Sequence, residues 1–395
     1  MKFLPWVAAG FMGAAAAAGT LAATVIANDP RPSAFFIRSV FSSGGKLQLR
    51  KLRRHVAVGH SVAHRSLPYL GDSTGPSLDI FLPADMEPGE SLPVVVWVHG
   101  GAWISGCKEN VAPYLEILAA HGYAVVGVGY SISPEASYPQ ALIELNSALG
   151  YLRERAGEFG FDPERIVLAG DSAGAQLAAQ LALTITDPDY AELTGLVPAA
   201  APKHLRGTLL FCGVYDLDAM ALLTGPLGWG FRTVLWAYTG AKDWTATEAA
   251  AHMSILDHVG PDFPPTYISG GNGDYLTEHQ SIPLAARLQE LGVPVISRFW
   301  PKDHRPALGH EYQFKLQLPE ARSVLAETVD FVDAVSGPSV QPDRMTTWTG
   351  PERTQLELHR QPPEPAHPRQ AQEDGTRAVR TQAGQAQTEQ LQDAA

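Results

Sequence analysis

The five residues Gly170-Asp-Ser172-Ala-Gly174 join two segments of different periodicity, and this junction limits the fold more than any other part of the chain. An apolar, β-branched run, Ile166–Ala169, precedes them, and small and apolar residues with helical spacing follow over Gly174–Ile185. A sharp turn from a strand into a helix strains the backbone of its central residue, and flanking glycines relieve the crowding. The sequence therefore predicts that Ser172 lies on such a turn, with its hydroxyl exposed above a sheet.

Short β-branched runs alternate with segments of helical periodicity over residues 55–336. Such alternation is typical of βαβ units and a mostly parallel sheet. The predicted parallel strands are Val94–Val98, Ala124–Val128, Ile166–Ala169, Leu209–Cys212, Thr266–Ser269 and Val293–Phe299. The clearest predicted helices are Ala141–Glu158, Gly174–Ile185 and Pro283–Leu291. With two further strands near Val56–Ala63 and Leu78–Leu82 as an antiparallel edge, we expect an eight-stranded α/β sheet flanked by helices.

The first 27 residues differ from this central region. Residues 3–27 carry no charge and are rich in Ala, and Lys2 precedes them, which is the layout of a secretory signal peptide. The run is also long enough to cross a bilayer as an uncleaved anchor. A buried Ala-rich helix fits less well, because the run lies outside any domain pattern. We expect residues 1–27 either to direct export, to the medium, periplasm or cell envelope, or to anchor the chain. The basic residues that follow would favour a cytoplasmic C-terminal side for an anchor, so its topology stays open.

Two other segments flank the predicted domain. Residues 28–54 are basic, and we interpret them as a linker or an N-terminal cap segment. Residues 337–395 are rich in Gln, Pro and Glu and contain few large apolar side chains, so we expect a disordered tail.

Charge and cysteine content exclude several classes of protein. The formal net charge is −12 and the basic residues form no long stripe, which argues against a nucleic-acid partner. The two cysteines, Cys107 and Cys212, are too few for a disulfide framework, and neither has Cys or His neighbours at metal-ligand spacing. We expect both thiols to be free and buried, and we expect no metal site.

A serine nucleophile needs a base, and the base needs an acid that orients it. Asp274 lies in a Gly-rich segment directly after the predicted strand Thr266–Ser269, at the strand end where such an acid is expected. Ser172 and Asp274 therefore predict a histidine on the loop that follows the next strand.

Two histidines follow that strand, and only one can contact both Ser172 and Asp274. His310 follows a glycine, and we expect the C-terminal helix to begin directly after it, at Glu311. His304 lies among charged residues and close to a proline, which is typical of an exposed loop. We therefore predict that His310 is the base.

Acyl transfer also needs hydrogen-bond donors for the oxyanion that forms on the attacked carbonyl. The sequence Trp97-Val-His-Gly-Gly-Ala-Trp103 follows a buried strand. The backbone N–H groups of Gly100 and Gly101, with that of Ala173 after the serine, are the predicted oxyanion hole. We expect the His99 side chain to be structural and to bond within its own loop.

Residues 216–262 contain an apolar insertion between predicted strands, and we interpret it as a cap that shapes an acyl pocket. Its large apolar side chains are Leu222, Leu223, Leu227, Trp229, Phe231, Trp236, Tyr238 and Trp244. For any one of them, packing of a helix onto the sheet is an equally good interpretation. Asp216 and Asp218 precede the strand expected to carry the acid, so we assign both a structural role.

Together these motifs resemble the hormone-sensitive-lipase-like esterases and the short-chain bacterial carboxylesterases. Tyr130-Ser-Ile-Ser-Pro-Glu-Ala-Ser-Tyr-Pro139 is similar to a segment of that family as well. The resemblance covers residues 55–336 and implies an α/β-hydrolase fold with a Ser172-His310-Asp274 triad. Two departures, Ala102 in place of a third glycine and Ser131 in place of arginine, favour the carboxylesterase branch.

The resemblance implies hydrolysis of short- to medium-chain acyl esters through an acyl-enzyme, with a small-molecule ester as partner and no metal or organic cofactor. Cleavage of amides or formamides by the same fold is a second hypothesis. A non-catalytic ligand-binding protein is a third, although such proteins usually lose the serine or the histidine, and both are present here.

Overall fold

Residues 27–337 are the part of the chain that the computed structural model describes. The predicted signal peptide or anchor, apart from Ala27, and the predicted disordered tail, apart from Gly337, lie outside the described residues. Between Ala27 and Gly337, no helix is both long enough and apolar enough to cross a bilayer.

Eight strands form one sheet, in the order β1-β2-β4-β3-β5-β6-β7-β8. The strands are β1 (Ser61–Pro68), β2 (Ser77–Pro83), β3 (Leu92–Val98), β4 (Ala124–Val128), β5 (Phe161–Asp171), β6 (Leu205–Phe211), β7 (Thr266–Gly270) and β8 (Val295–Phe299). β2 is antiparallel to its neighbours β1 and β4, and the remaining pairs are parallel. The predicted eight-stranded α/β fold is confirmed.

The first strand lies about five residues later than predicted. Val56–Ala63 is the most apolar stretch of this segment, but β1 spans Ser61–Pro68. This edge strand exposes most of its side chains, so apolar alternation carries little information about its position. Its register is set by pairing with β2, from Ser61 opposite Pro83 to Pro68 opposite Ser77.

Helices cover both faces of the sheet. They are α1 (Arg31–Leu52), α2 (Lys108–Ala119), α3 (Gln140–Glu154), α4 (Ala156–Phe159), α5 (Ala173–Thr186), α6 (Pro188–Thr194), α7 (Leu217–Ala221), α8 (Gly225–Thr239), α9 (Glu248–Met253), α10 (Ile255–His258), α11 (Ile282–Glu290) and α12 (Pro319–Ser336). The predicted helix Ala141–Glu158 is divided into α3 and α4. The basic segment 28–54, left open as linker or cap, is helical over α1.

The sheet separates two apolar cores. Along β3, Val94, Val96 and Val98 pack into one core, and Val95 and Trp97 pack into the other. Successive side chains of a strand point to opposite faces, so a strand covered on both sides must be apolar at every position. All seven residues of β3 are buried.

A buried ion pair fixes the start of α2. Asp79 on β2 accepts a hydrogen bond from the backbone N–H of Ser66 (2.8 Å) and contacts Lys108 Nζ at 2.9 Å. Both side chains are almost fully buried, while Glu109, a second partner of Lys108, is exposed. Because α2 directly follows the loop after β3, this pair holds the far end of that loop.

We predict that Asp79→Ala lowers the free energy of unfolding by about 3–5 kcal/mol, because it leaves a buried ammonium group without its buried partner. Glu109→Ala removes the exposed partner of the same lysine and should cost about 1 kcal/mol or less. Urea unfolding of the two variants measures the difference, and equal losses would contradict the assignment.

Candidate active site

Ser172 lies on the predicted turn between β5, which ends at Asp171, and α5, which begins at Ala173. Its backbone has φ 53° and ψ −122°, a strained conformation for a residue with a side chain. A Cβ atom at Gly170 would overlap the carbonyl oxygen of Gly174, and one at Gly174 would overlap that of Val98. The two glycines are therefore required by the close approach of α5 to the sheet.

The structure brings Ser172, His310 and Asp274 together in one hydrogen-bonded row. His310 Nε2 lies 2.9 Å from Ser172 Oγ, and His310 Nδ1 lies 2.7 Å from Asp274 Oδ2. A carboxylate accepts, so Nδ1 carries the ring proton that points to Asp274, and in the neutral form of the ring Nε2 accepts from the serine hydroxyl. The Asp274 carboxylate is held by the backbone N–H of Leu276 at 3.0 Å and is almost fully buried.

Cys212 lies beside this row, directly after β6, with φ 44°. Burial disfavours the charged form of His310, but the hydrogen bond to Asp274 and the negative charge of that carboxylate favour it, and the pKa of His310 lies above its ordinary value. Burial raises the pKa of the Cys212 thiol, so its proton stays on sulfur at neutral pH.

Ligand atoms of Cys212, Asp274 and His310 lie within 4.8 Å of one another, the one such group among residues 27–337 that could hold a metal ion. Both ring nitrogens of His310 already contact Ser172 and Asp274, so a metal would have to replace one of those hydrogen bonds. Both cysteines are free and Cys212 is buried, as predicted, but Cys107 is exposed. The prediction of a buried Cys107 was wrong because this residue lies at the N-terminus of α2 rather than under the sheet.

The prediction that Gly100 contributes a free N–H group to the oxyanion hole was wrong. Its N–H donates to Asp171 Oδ2 at 2.9 Å, and Trp97 Nε1 donates to Asp171 Oδ1 at 2.7 Å. Burial raises the pKa of the Asp171 carboxyl well above its ordinary range and nearby Glu311 adds to the rise, while the two donated hydrogen bonds oppose it.

Three neighbouring N–H groups are free instead. Those of Gly101, Ala102 and Ala173 have no acceptor within residues 27–337, and all three residues line the same cleft as Ser172. Ala102 is the residue that the sequence analysis missed. It follows the two glycines directly, and its φ of 50° continues the tight turn that begins at Gly101.

His99 is structural, as predicted. Burial lowers the pKa of His99 to about 4, so the ring is neutral, and its Nδ1–H donates to the carbonyl of Gly100 at 2.8 Å. Tyr130 stacks on the ring at 4.3 Å between centroids, and its hydroxyl donates to the carbonyl of His99. The Tyr130 segment therefore supports the loop that carries Gly101 and Ala102.

His304 is directed away from Ser172. Its Nε2 lies 2.9 Å from Glu320 Oε1 on α12, and its ring packs against Trp300. The side chain is partly buried rather than exposed, so the loop holds the C-terminal helix in place. That helix begins at Pro319, not at Glu311 as predicted, because a single 3₁₀ turn, Tyr312–Phe314, comes first.

A cleft of about 670 Å³ opens above Ser172. Leu227 and Phe231 on α8 line it, so part of the predicted cap region 216–262 does face the site. Other residues of that region, including Tyr238 and Trp244, are buried in the core. Asp216 has a structural role, since it accepts the N–H of Ala219 at the start of α7, and Asp218 lies in the first turn of that helix.

The N-terminal helix α1 forms another wall of the cleft through Val40, Phe41 and Gln48. Gln48 also approaches Glu311, next to His310, at 3.4 Å. The sequence analysis left this segment as linker or cap and named no cleft residue in it. Val40 and Phe41 could have been found from apolar side chains at helical spacing within a basic segment.

The sheet order and the strand–turn–helix at Ser172 define an α/β-hydrolase fold. Residues 78–288, more than half of the chain, match the family model BD-FAE. The chain therefore belongs to the BD-FAE family.

Two curated relatives carry esterase names. Esterase LipQ of Mycobacterium tuberculosis is 35% identical over 281 residues, which is 69% of this chain and 62% of that protein. An acetyl esterase of Salmonella schwarzengrund is 35% identical over 199 residues, 48% of this chain and 57% of the relative. The matched region thus spans about 60% of the length of each.

Solved structures share the fold. Esterase B from Lactobacillus rhamnosis superposes with a TM-score of 0.67 at 22% identity, covering 78% of this chain and 96% of that one. The same esterase inhibited by a tributyrin phosphonate gives a TM-score of 0.64 at 23% identity, over 76% and 94% of the two chains.

We predict that Asp171→Ala destabilises the protein by about 1–3 kcal/mol for each of the two donors that it leaves unpaired. Trp97→Phe removes one donor, so the double variant should lose less than the sum of the single losses, by about 1 kcal/mol or more. Urea unfolding of the four proteins in this cycle gives the coupling, and strict additivity would show that the Trp97–Asp171 bond contributes nothing.

Proposed function

We propose that this protein is a carboxylic ester hydrolase in which Ser172 is the nucleophile, His310 the general base and Asp274 the orienting acid. The observation that carries the proposal is the hydrogen-bonded row Ser172–His310–Asp274 at the base of an open cleft. The esterase names of the relatives support the same reaction.

In the first half of the reaction, Ser172 Oγ attacks the ester carbonyl while its proton moves to His310 Nε2. The ester C–O bond then breaks, the alcohol leaves with the proton from Nε2, and the acyl group stays on Oγ. In the second half, water loses a proton to Nε2 and attacks the acyl carbonyl, and the proton returns to Oγ as the acid leaves. Asp274 keeps the proton of Nδ1 in place and stabilises the imidazolium.

The oxyanion binds to the N–H groups of Gly101, Ala102 and Ala173 in this proposal. Ala173 also begins α5, so the positive end of that helix faces the developing charge. Asp171 contributes indirectly. It accepts the N–H of Gly100 and so holds the residue that directly precedes Gly101 in the loop.

The substrate class is a small-molecule ester with a short- to medium-length acyl chain. A cleft of about 670 Å³ is in the range of small-ligand sites. Leu227 and Phe231 on α8, and Val214 in the segment after β6, supply apolar wall. The tributyrin phosphonate bound by Esterase B is an analogue of such an ester. Export or anchoring through residues 3–27 stays part of the proposal.

We predict that a fluorophosphonate probe labels the protein and that it hydrolyses p-nitrophenyl esters of two to eight acyl carbons faster than a matched formamide. Ser172→Ala should lose labelling, and its turnover should fall on the order of 10⁴-fold or more, because the members of a triad act as a unit. Unchanged circular dichroism of the variant is the control for folding. If the formamide is turned over faster than the esters, amide cleavage replaces ester cleavage as the proposed function.

The two histidines give a matched pair for the base. We predict that His310→Ala falls to the level of Ser172→Ala, while His304→Ala keeps at least about a tenth of normal turnover, because its ring contacts Glu320 and not Ser172. Steady-state turnover of p-nitrophenyl acetate measures both. The reverse ranking would assign the base to His304.

A further inference from the structure

Large apolar side chains are exposed on α1 and in the cap region, two parts of the chain that also contribute residues to the cleft. On α1 they are Phe36, Val40, Phe41 and Leu47, with 47–63% of each exposed. On the cap they are Leu222, Leu227 and Trp229, with 43–81% exposed. We name these seven residues the apolar rim. An exposed apolar patch of this kind, next to an active site, marks an interaction surface.

The rim shares three residues with the lining of the cleft. Val40, Phe41 and Leu227 line the cleft itself. Phe36 lies one helical turn before Val40, and Leu47 lies two turns after it, so the three share one side of α1. Trp229 follows Leu227 on α8, and α1 and α8 are in contact. A partner that covers the exposed sides of α1 and α8 would therefore lie next to the cleft.

The charge beside the rim is positive in a chain whose net charge is −12. Residues 30–71 contain eight Lys and Arg and no Asp or Glu. Arg38, Arg53 and Arg65 form ion pairs with carboxylates of the same chain. No ion pair is formed within residues 27–337 by the other five, Arg31, Lys46, Arg50, Lys51 and Arg54. Basic side chains that form no ion pair within residues 27–337 thus flank, along the sequence, the part of the apolar rim that lies on α1.

The covalent chain leads to the same surface. The uncharged run 3–27 ends four residues before α1 begins at Arg31. At that end, Lys242, which follows α8, donates a hydrogen bond from Nζ to the carbonyl of Ala27. The apolar run therefore joins the protein beside the two helices that carry the rim.

We propose that the apolar rim docks on an anionic lipid bilayer and that the substrates are esters dissolved in that bilayer, which pass directly into the cleft. The substrate class rests on the ester hydrolysis proposed above. Apolar side chains at the membrane interface and about 1 kcal/mol for each nearby Lys or Arg supply the attraction. A bilayer fits the rim better than a second copy, because a two-fold symmetric dimer through the rim would place the same basic residues of the two copies near each other.

The first test compares two routes of substrate delivery in the full-length protein. Phe36→Glu/Leu47→Glu adds two charges to the rim outside the cleft lining. Leu193→Glu/Val197→Glu adds two charges at exposed apolar positions on α6 and the loop after it. We expect the rim variant to hydrolyse p-nitrophenyl decanoate in phosphatidylglycerol vesicles at least ten-fold more slowly than wild type. Its turnover of soluble p-nitrophenyl acetate should stay within two-fold, and the control variant should match wild type on both substrates.

The second test reads docking without catalysis. Vesicles of phosphatidylglycerol with brominated acyl chains should quench tryptophan emission of the full-length protein, and Trp229→Phe should remove part of that quenching. The difference between the two proteins isolates Trp229 from the other tryptophans. Quenching at Trp229 should weaken in 0.5 M salt and with phosphatidylcholine vesicles, because screening reduces the attraction of the basic residues.

The outcomes separate this proposal from the one it rests on. Wild type that shows Trp229 quenching but turns over neither ester would overturn ester hydrolysis and leave the docking surface. Equal vesicle turnover in the rim variant and wild type, with no quenching assigned to Trp229, would overturn docking. A concentration-dependent dimer in light scattering that Phe36→Glu/Leu47→Glu abolishes would assign the rim to a second copy and also overturn it.

Discussion

The buried carboxylate of Asp171 connects the parts of the site that must stay in register. It belongs to the end of β5, and it accepts hydrogen bonds from the Trp97 ring on β3 and from the N–H of Gly100 in the following loop. The next residue along the chain is Ser172. One side chain therefore fixes the distance between the serine turn and the loop of Gly101 and Ala102, and burial makes any loss of its partners costly.

Much of the architecture can be predicted from sequence because it depends on local pattern. The buried parallel strands are continuous apolar runs, so β4 was predicted to the residue and β7 to within one. The proximity of Ser172, Asp274 and His310 follows from a rule of topology, since side chains after the carboxyl ends of parallel strands meet at one edge of the sheet. The structure does bring these three together.

Three of the differences between prediction and structure have one physical cause, which is that a distant partner decides the local state. Gly100 looks like a free donor in sequence, but a carboxylate 71 positions away takes its N–H. β1 is located by its pairing with β2, not by its own exposed side chains. The segment 28–54 was left open as linker or cap because helical spacing can indicate α1 and its apolar side, but not its contacts with α2 and α8.

Because α1 forms one wall of the cleft, the position at which a peptidase cuts the N-terminal part of the chain decides whether the pocket stays complete. The cleft takes Val40, Phe41 and Gln48 from α1, and Arg38 on the same helix binds Glu135 and the backbone of Ile104. A peptidase that cut before Arg31 would release a protein with its pocket complete. A cut after Leu52 would remove one side of that pocket. Only the 12 residues 28–39 separate the predicted export or anchor segment from Val40, the first residue of the cleft wall.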